Sequence, residues 1–275
     1  MTTSNGHFIN HLLKRKKGSL KVRFLGTGTS QGVPVIACEC AVCTSSDVHD
    51  NRLRSSILIE LDIGKNIVID TGPDFRYQML REKVRHLDAI LMTHAHKDHI
   101  AGLDDVRAFN YQQQSSISIY ANNFTLEALQ REFYYAFSAV KYPGVPQLEL
   151  VEITASDDFQ LYDHTIEPLE VMHYKMPVLG FRIGKFAYIT DAKTVSEQSR
   201  DILNGVEVLV VNALQEEPHI SHFTLEEALA FIADINPQSA YLTHISHRFG
   251  THEYIQSKLP PHVYAAYDTL CIEIK

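Results

Sequence analysis

The chain has 275 residues, of which 45% are hydrophobic and 21% charged, ordinary globular values with enough length for a sizeable core. A formal net charge of −8 argues against a surface built to hold long nucleic acid, because phosphate binding needs concentrated Lys and Arg; a small anionic ligand stays compatible. No apolar run nears the roughly 18 residues of a membrane helix, and no signal-peptide apolar region follows the N-terminus, so a cytoplasmic chain with no membrane partner is expected.

Residues 1–20 read as a solvated tail ending in Lys14-Arg15-Lys16-Lys17-Gly18, and residues 21–275 as one domain. Residues 22–25 predict a strand that runs into Gly26-Thr27-Gly28-Thr29-Ser30-Gln31-Gly32. That glycine spacing matches neither the dinucleotide-binding fingerprint nor the Lys-containing phosphate loop, so it is read as a tight loop whose backbone approaches the active site. Three thiols follow in Cys38-Glu39-Cys40-Ala41-Val42-Cys43. In a cytosolic chain such spacing points to metal or redox chemistry before disulfides, and a tetrahedral zinc lacks only a fourth donor from elsewhere. Cys271, alone in a terminal apolar strand, is expected to be a small core hydrophobe. Residues 54–61 and 66–70 predict a hairpin, with Asp70 emerging where its second strand stops.

Residues 88–93 form a continuous apolar run that reads as a buried strand. It opens into His94-Ala95-His96-Lys97-Asp98-His99, four potential metal ligands in six residues. Imidazole with carboxylate suits zinc, manganese or iron rather than calcium, and two ligand pairs side by side suggest two metals. Residues 100–110 carry helical spacing, which puts the ligands in a loop between strand and helix. Residues 117–120 predict a strand, 125–140 a helix, and 142–146 a turn. Strands return from residue 148: 167–172 leads to His173, and 180–183 and 186–189 follow, the latter ending in Thr190-Asp191. Residues 207–211 are another buried-type strand. Thr224-Leu225-Glu226-Glu227 is a capping box opening a helix to about residue 235. Residues 239–243 then run into His244-Ile245-Ser246-His247, an echo of Leu91-Met92-Thr93-His94. Two similar halves without a linker predict two sheets packed face to face with helices outside.

The motif at 94–99 resembles the first ligand motif of the metallo-β-lactamase superfamily, whose members are largely two-metal hydrolases. That resemblance implies an α/β (α+β) fold, the αββα four-layer sandwich. It also implies that His94, His96 and His173 hold one catalytic divalent metal and Asp98, His99 and His244 the other, with Asp191 between them. In that family Asp70 would support the ligands, against a reading as a plain turn residue. The cysteine cluster together with Thr-His-Ile-Ser-His at 243–247 resembles the PhnP-type cyclic phosphodiesterases. It implies a structural zinc on Cys38, Cys40, Cys43 and His247, and a histidine ahead of the penultimate helix that assists the leaving group, here His222 with His219 as rival. The implied activity is hydrolysis of a small, cyclic phosphodiester by hydroxide bridging two zinc or manganese ions, with Asp98 also orienting the nucleophile; a homodimer is compatible. Two other readings compete. A tRNA 3′-end processing nuclease would place an RNA-clamping arm between the third-motif histidine and the bridging Asp, but little more than a hairpin joins His173 to Asp191. A PqqB-type binding or carrier protein would depart from the metal motif that is complete here. Thioester or lactam hydrolysis also fits the ligand pattern alone.

Overall fold

The computed structural model describes residues 17–140, 142–155 and 157–275; most of the expected tail, residues 1–16, lies outside them. In chain order β1 (Leu20–Gly26), β2 (Ser56–Leu61), β3 (Asn66–Ile69), β4 (Ala89–Leu91), β5 (Ile117–Ala121) and β6 (Leu148–Glu152) build a first sheet. A second contains β7 (Phe159–Leu161), β8 (His164–His173), β9 (Met176–Ile183), β10 (Phe186–Tyr188), β11 (Thr194–Val195), β12 (Val208–Asn212), β13 (Ser239–Thr243) and β14 (Val263–Ala265). The last strand, β15 (Cys271–Ile274), returns to pair antiparallel with β1. The strand orders are β15-β1-β2-β3-β4-β5-β6 and β11-β8-β9-β10-β12-β13-β14, with β7 beside β8.

The pleat explains why the central strands of each sheet, β4, β10 and β12 among them, are largely apolar on both faces. Successive side chains point to opposite faces, and both faces of each sheet are covered. In β4 and just past it, Ala89 and Leu91 enter the core between the sheets while Ile90 and Met92 face the helices outside the first sheet. In β12 and β13, Val210 and Tyr241 join the central layer, whereas Leu209, Val211, Ala240 and Leu242 face the other helical layer. Helices α1 (Phe75–Arg81), α2 (Lys97–Ile100), α3 (Arg107–Gln113), α4 (Asn123–Glu132) and α5 (Tyr134–Phe137) contribute Phe75, Met79, Ile100, Phe109, Leu129 and Ala136 to the first outer layer. Helices α6 (Glu197–Ile202), α7 (Leu225–Ile235) and α8 (His252–Lys258) cover the second sheet through Ile202, Ala228, Phe231, Ile232 and Ile255. The capping box is present: the Thr224 amide donates to Glu227 Oε2 and the Glu227 amide to Thr224 Oγ1.

Three expectations change. The helix expected over 100–110 is broken into α2, a 3-10 turn at Leu103–Val106 and α3. The break falls at Gly102, where a Cβ would stand 2.1 Å from the Gly72 carbonyl oxygen; backbone meets backbone there. The helix expected to 140 stops at Phe133, whose φ of −113° and ψ of 35° leave the helical basin. Cys271 is exposed rather than a core hydrophobe, because Ile272 and Ile274 take the inward positions of this edge strand.

Candidate metal centre

Strands β3, β4 and β5 run parallel to one another, as do β10, β12 and β13. The carboxyl ends of parallel strands are where open sheets place their sites. Asp70 follows β3, His94 to His99 follow β4, Asp191 follows β10, and His244 follows β13. Asp70, Asp191 and His244 all adopt left-handed backbone, with φ of 63°, 58° and 55°. Such conformations in residues other than glycine cluster at functional sites, and here each turns a side chain back across its strand end.

These turns bring six imidazoles and two carboxylates together. The rings of His94 and His96 have centroids 4.6 Å apart, and His173 stands 5.1 Å from His96 and 5.9 Å from His94. His94 Nε2 and His96 Nδ1 converge to 3.0 Å. On the other side, His99 Nε2 lies 3.2 Å from Asp98 Oδ2 and 3.3 Å from Asp191 Oδ2, and His244 Nε2 lies 3.4 Å from Asp191 Oδ1. His94, His99 and Asp191 offer ligand atoms within 4.8 Å of one another, as do Asp98, His99 and His244. His222 is buried and sits among them, its Nε2 3.0 Å from Asp191 Oδ1 and its ring 4.5 Å from that of His173. His219 is nearer the surface, its Nδ1 3.1 Å from Nδ1 of His222.

Four of the imidazoles are oriented through Nδ1 by protein acceptors, which frees Nε2 to face the cluster. His99 Nδ1 donates to Asp70 Oδ2 at 2.7 Å. His94 Nδ1 donates to Thr93 Oγ1, which donates to Asp70 in turn. His173 Nδ1 donates to the carbonyls of Asp191 and Ser221, and His244 Nδ1 to Ser55 Oγ. Asp70 is fully buried and bound to both Thr93 and His99, a supporting position rather than a bare turn. Thr93, Ser55 and the Ser221 carbonyl were not expected. A Thr before the histidine in both Thr93-His94 and Thr243-His244 was a visible signal for the first; nothing in the sequence marked Ser55. The glycine loop does approach the site: Ser55 Oγ donates to the Gly28 carbonyl at 2.9 Å.

Does this donor set suit divalent cations? Burial lowers His94 and His173 and brings His244 down to about 4, so all three are neutral and available as ligands near neutral pH. Burial would lower His99 too, but Asp98, Asp70 and Asp191 outweigh it and raise it. Asp191 and Asp98 are held below the usual carboxylate range, burial being overcome at Asp191 by His244 and His99 and at Asp98 chiefly by His99. His99 Nε2 is buried without an aligned hydrogen-bond partner. Ionised carboxylates and imidazole nitrogens pressed together, most of them buried with His96 exposed at the edge and His173 half-buried, fit divalent metal.

A second cluster lies apart. Cys38, Cys40 and Cys43 place Sγ 3.3, 3.5 and 3.5 Å from His247 Nδ1, a closed four-donor arrangement that suits zinc and leaves no position open for chemistry. The Cys43 amide donates to Cys40 Sγ and helps bring that thiol down to about 6.

The model for the beta-lactamase superfamily domain matches residues 65–245. A crystal structure described as a new diphosphatase from the PhnP family superposes with a TM-score of 0.87 and 38% identity, covering 93% of this chain and 97% of that one. The octanoyltransferase of Porphyromonas gingivalis is 41% identical over 247 residues, 90% of this chain but only 50% of that protein; this chain thus spans about half of that relative. Zinc-bound PqqB from Methylobacterium extorquens shares the fold, with a TM-score of 0.75 at 20% identity over 92% of this chain and 99% of that one. The chain therefore belongs to the metallo-β-lactamase superfamily, and it resembles the PhnP-family structure over nearly its whole length.

Proposed function

We propose that this protein hydrolyses a small phosphodiester, with cyclic diesters as the preferred class. The observation that carries the reading is the pairing of two arrangements in one chain: the cluster of His94, His96, Asp98, His99, His173, Asp191 and His244, and the separate Cys38, Cys40, Cys43, His247 group. His94, His96 and His173 would hold one zinc or manganese and Asp98, His99 and His244 the other, with Asp191 shared, while zinc on the cysteine group would be structural. The catalytic ions supply charge neutralisation for the phosphoryl oxygens and a lowered pKa for the attacking water. The rest falls to side chains. Asp98 orients the water for in-line attack on phosphorus, and as the ester P–O bond breaks His222 gives its proton to the departing alkoxide. Asp191 holds the His222 ring in place through Nε2, and the Ser221 carbonyl fixes His173.

The short hairpin-rich path from His173 to Asp191, through β9 and β10, supports a small substrate over an RNA-clamping nuclease. The diphosphatase name of the PhnP-family structure favours a second reading at the same phosphorus chemistry, cleavage of a P–O–P anhydride. The octanoyltransferase name belongs to a protein half of which has no counterpart here, so it adds no acyl-transfer reading. The test is a panel on metal-loaded protein: 2′,3′-cyclic nucleotides, linear diesters, diphosphates and a thioester. Fastest turnover on cyclic diesters is expected. Turnover confined to diphosphates would move the assignment to the second reading, and turnover confined to the thioester would sink both.

A further inference from the structure

Beside the imidazoles opens a cavity of about 650 Å³ whose wall includes His96 and His173 and continues outward over Phe124, Tyr174, Lys175 and Ile220. Those four come from three separate places: the start of α4, the turn between β8 and β9, and the loop before α7. Phe124, Tyr174 and Ile220 are 58%, 53% and 64% exposed, so none is held there by core packing. Large apolar side chains gathered in water beside a polar centre mark a binding surface.

The turn residue is the most telling. His173 pairs with Met176, so Tyr174 and Lys175 are the two residues of a tight hairpin turn. Tyr174 has a φ of 57°; at the first position of such a turn glycine is the unstrained choice, and a bulky side chain there is an outlier. Tyr162 holds the same conformation at the same position of the β7–β8 turn, so the backbone alone does not mark Tyr174; what sets Tyr174 apart is its place on the cavity wall beside His96 and His173. Among the described residues its ring partner is Lys175, whose Nζ lies 5.2 Å from the Tyr174 centroid, a cation at the rim suited to an anionic ligand. The loop carrying Ile220 is tied to the metal cluster by the hydrogen bond from His173 to the Ser221 carbonyl.

We propose that Tyr174 and Phe124, with Ile220 and Lys175, form a ring-binding subsite that makes the protein selective for phosphoesters bearing a planar aromatic group, aryl or nucleobase. This rests on the phosphodiesterase reading for what the adjoining centre does with such a ligand. A base stacked on an aromatic side chain typically accounts for about five- to a hundredfold in affinity, and a volume of this size accepts a ring with its sugar.

The experiment is calorimetric binding to the metal-loaded protein, which reads affinity without turnover. Phenyl phosphate and adenosine 5′-monophosphate are compared with their ring-free counterparts, methyl phosphate and ribose 5-phosphate, and with octyl phosphate. The ring-bearing esters are expected to bind about tenfold or more tightly than the ring-free ones. Tyr174→Phe keeps that preference; Tyr174→Gly loses most of it while its Tm holds or rises, because the backbone strain is gone. Phe124→Ala, at a position free of that strain, lowers the preference independently. Equal binding of ring-bearing and ring-free esters overturns the proposal, and so does octyl phosphate binding as tightly as the nucleotide. Diester hydrolysis without a ring preference would leave the proposed function standing and remove only this subsite; a ring preference without diester hydrolysis would do the reverse.

Discussion

Gly72→Ala tests whether the ligand loop is positioned by backbone contact. Gly72 lies outside the left-handed region and touches no ligand atom, yet a Cβ built on it would stand 2.0 Å from the Asp98 carbonyl oxygen. Ordinary separation is about 3.5 Å, so the two segments must part by about 1.5 Å. Neither is free to yield, because the Thr71 amide donates to the His99 carbonyl at 2.7 Å and the Gly102 amide to the Thr71 carbonyl at 2.8 Å. Overpacking of this kind costs about 1–3 kcal/mol of stability, and a displacement near 1 Å at a catalytic group costs about a hundredfold in rate. Thermal melting, metal content by mass spectrometry and steady-state turnover read the three consequences. An alanine variant with wild-type metal content, melting temperature and turnover would refute the argument that this contact sets where Asp98 and His99 stand.

Further outcomes follow from the same geometry. His222→Gln should lower kcat by about a hundredfold or more with metal content unchanged; full activity on every diester tested would remove His222 as the proton donor. Asp70→Asn, which weakens the hold on His99 Nδ1, should cost about ten- to a hundredfold in metal affinity or activity, read by competition with a chelating dye. Cys38→Ser should lower Tm and cost one zinc per chain while the catalytic metals remain; an unchanged zinc count would contradict a site shared with His247. His99 is raised above its ordinary value by Asp98, Asp70 and Asp191 against the effect of burial, so the metal-free protein binds that proton more tightly than a free imidazole does. Metal uptake must displace it, so affinity should rise with pH through neutrality, and calorimetric heats should vary with the ionisation enthalpy of the buffer. Buffer-independent heats would contradict that sign.

Most of the cluster was legible because its residues are chemically conspicuous and punctuate apolar runs. His94 to His99, Asp191 and His244 each follow a short apolar, largely buried strand, whereas His173 ends β8, in which Thr165 and Glu170 are exposed between buried neighbours. What could not be read were contacts between segments far apart in sequence that use ordinary residues. Ser55 supports His244 across 189 positions, and a serine before a strand carries no mark of that role. The Gly72 and Gly102 contact was equally silent, and it is what broke the helix expected over 100–110. The inward tilt of Ile272 and Ile274, which turned Cys271 outward, depends on the register with β1 and not on local composition. Nothing in the sequence marked Phe124, Tyr174 and Ile220, which three separate segments bring to one exposed wall.

The pairing of β1 with β15, Leu20 opposite Ile274, carries a consequence for how the molecule comes into being on the ribosome. Strand β1 gains β2 as a neighbour soon after it is made, but its other edge stays open until β15 emerges much later in the chain. An open edge on a partly built sheet is a template for mispairing, and a long interval between partners slows folding. The loop after β1 reaches the centre through Gly28, Ser55 and His244, so the support for that last ligand is secured late as well. Competence to hold metal should therefore arrive abruptly once β15 has joined β1, and a chain lacking β15 should be inert.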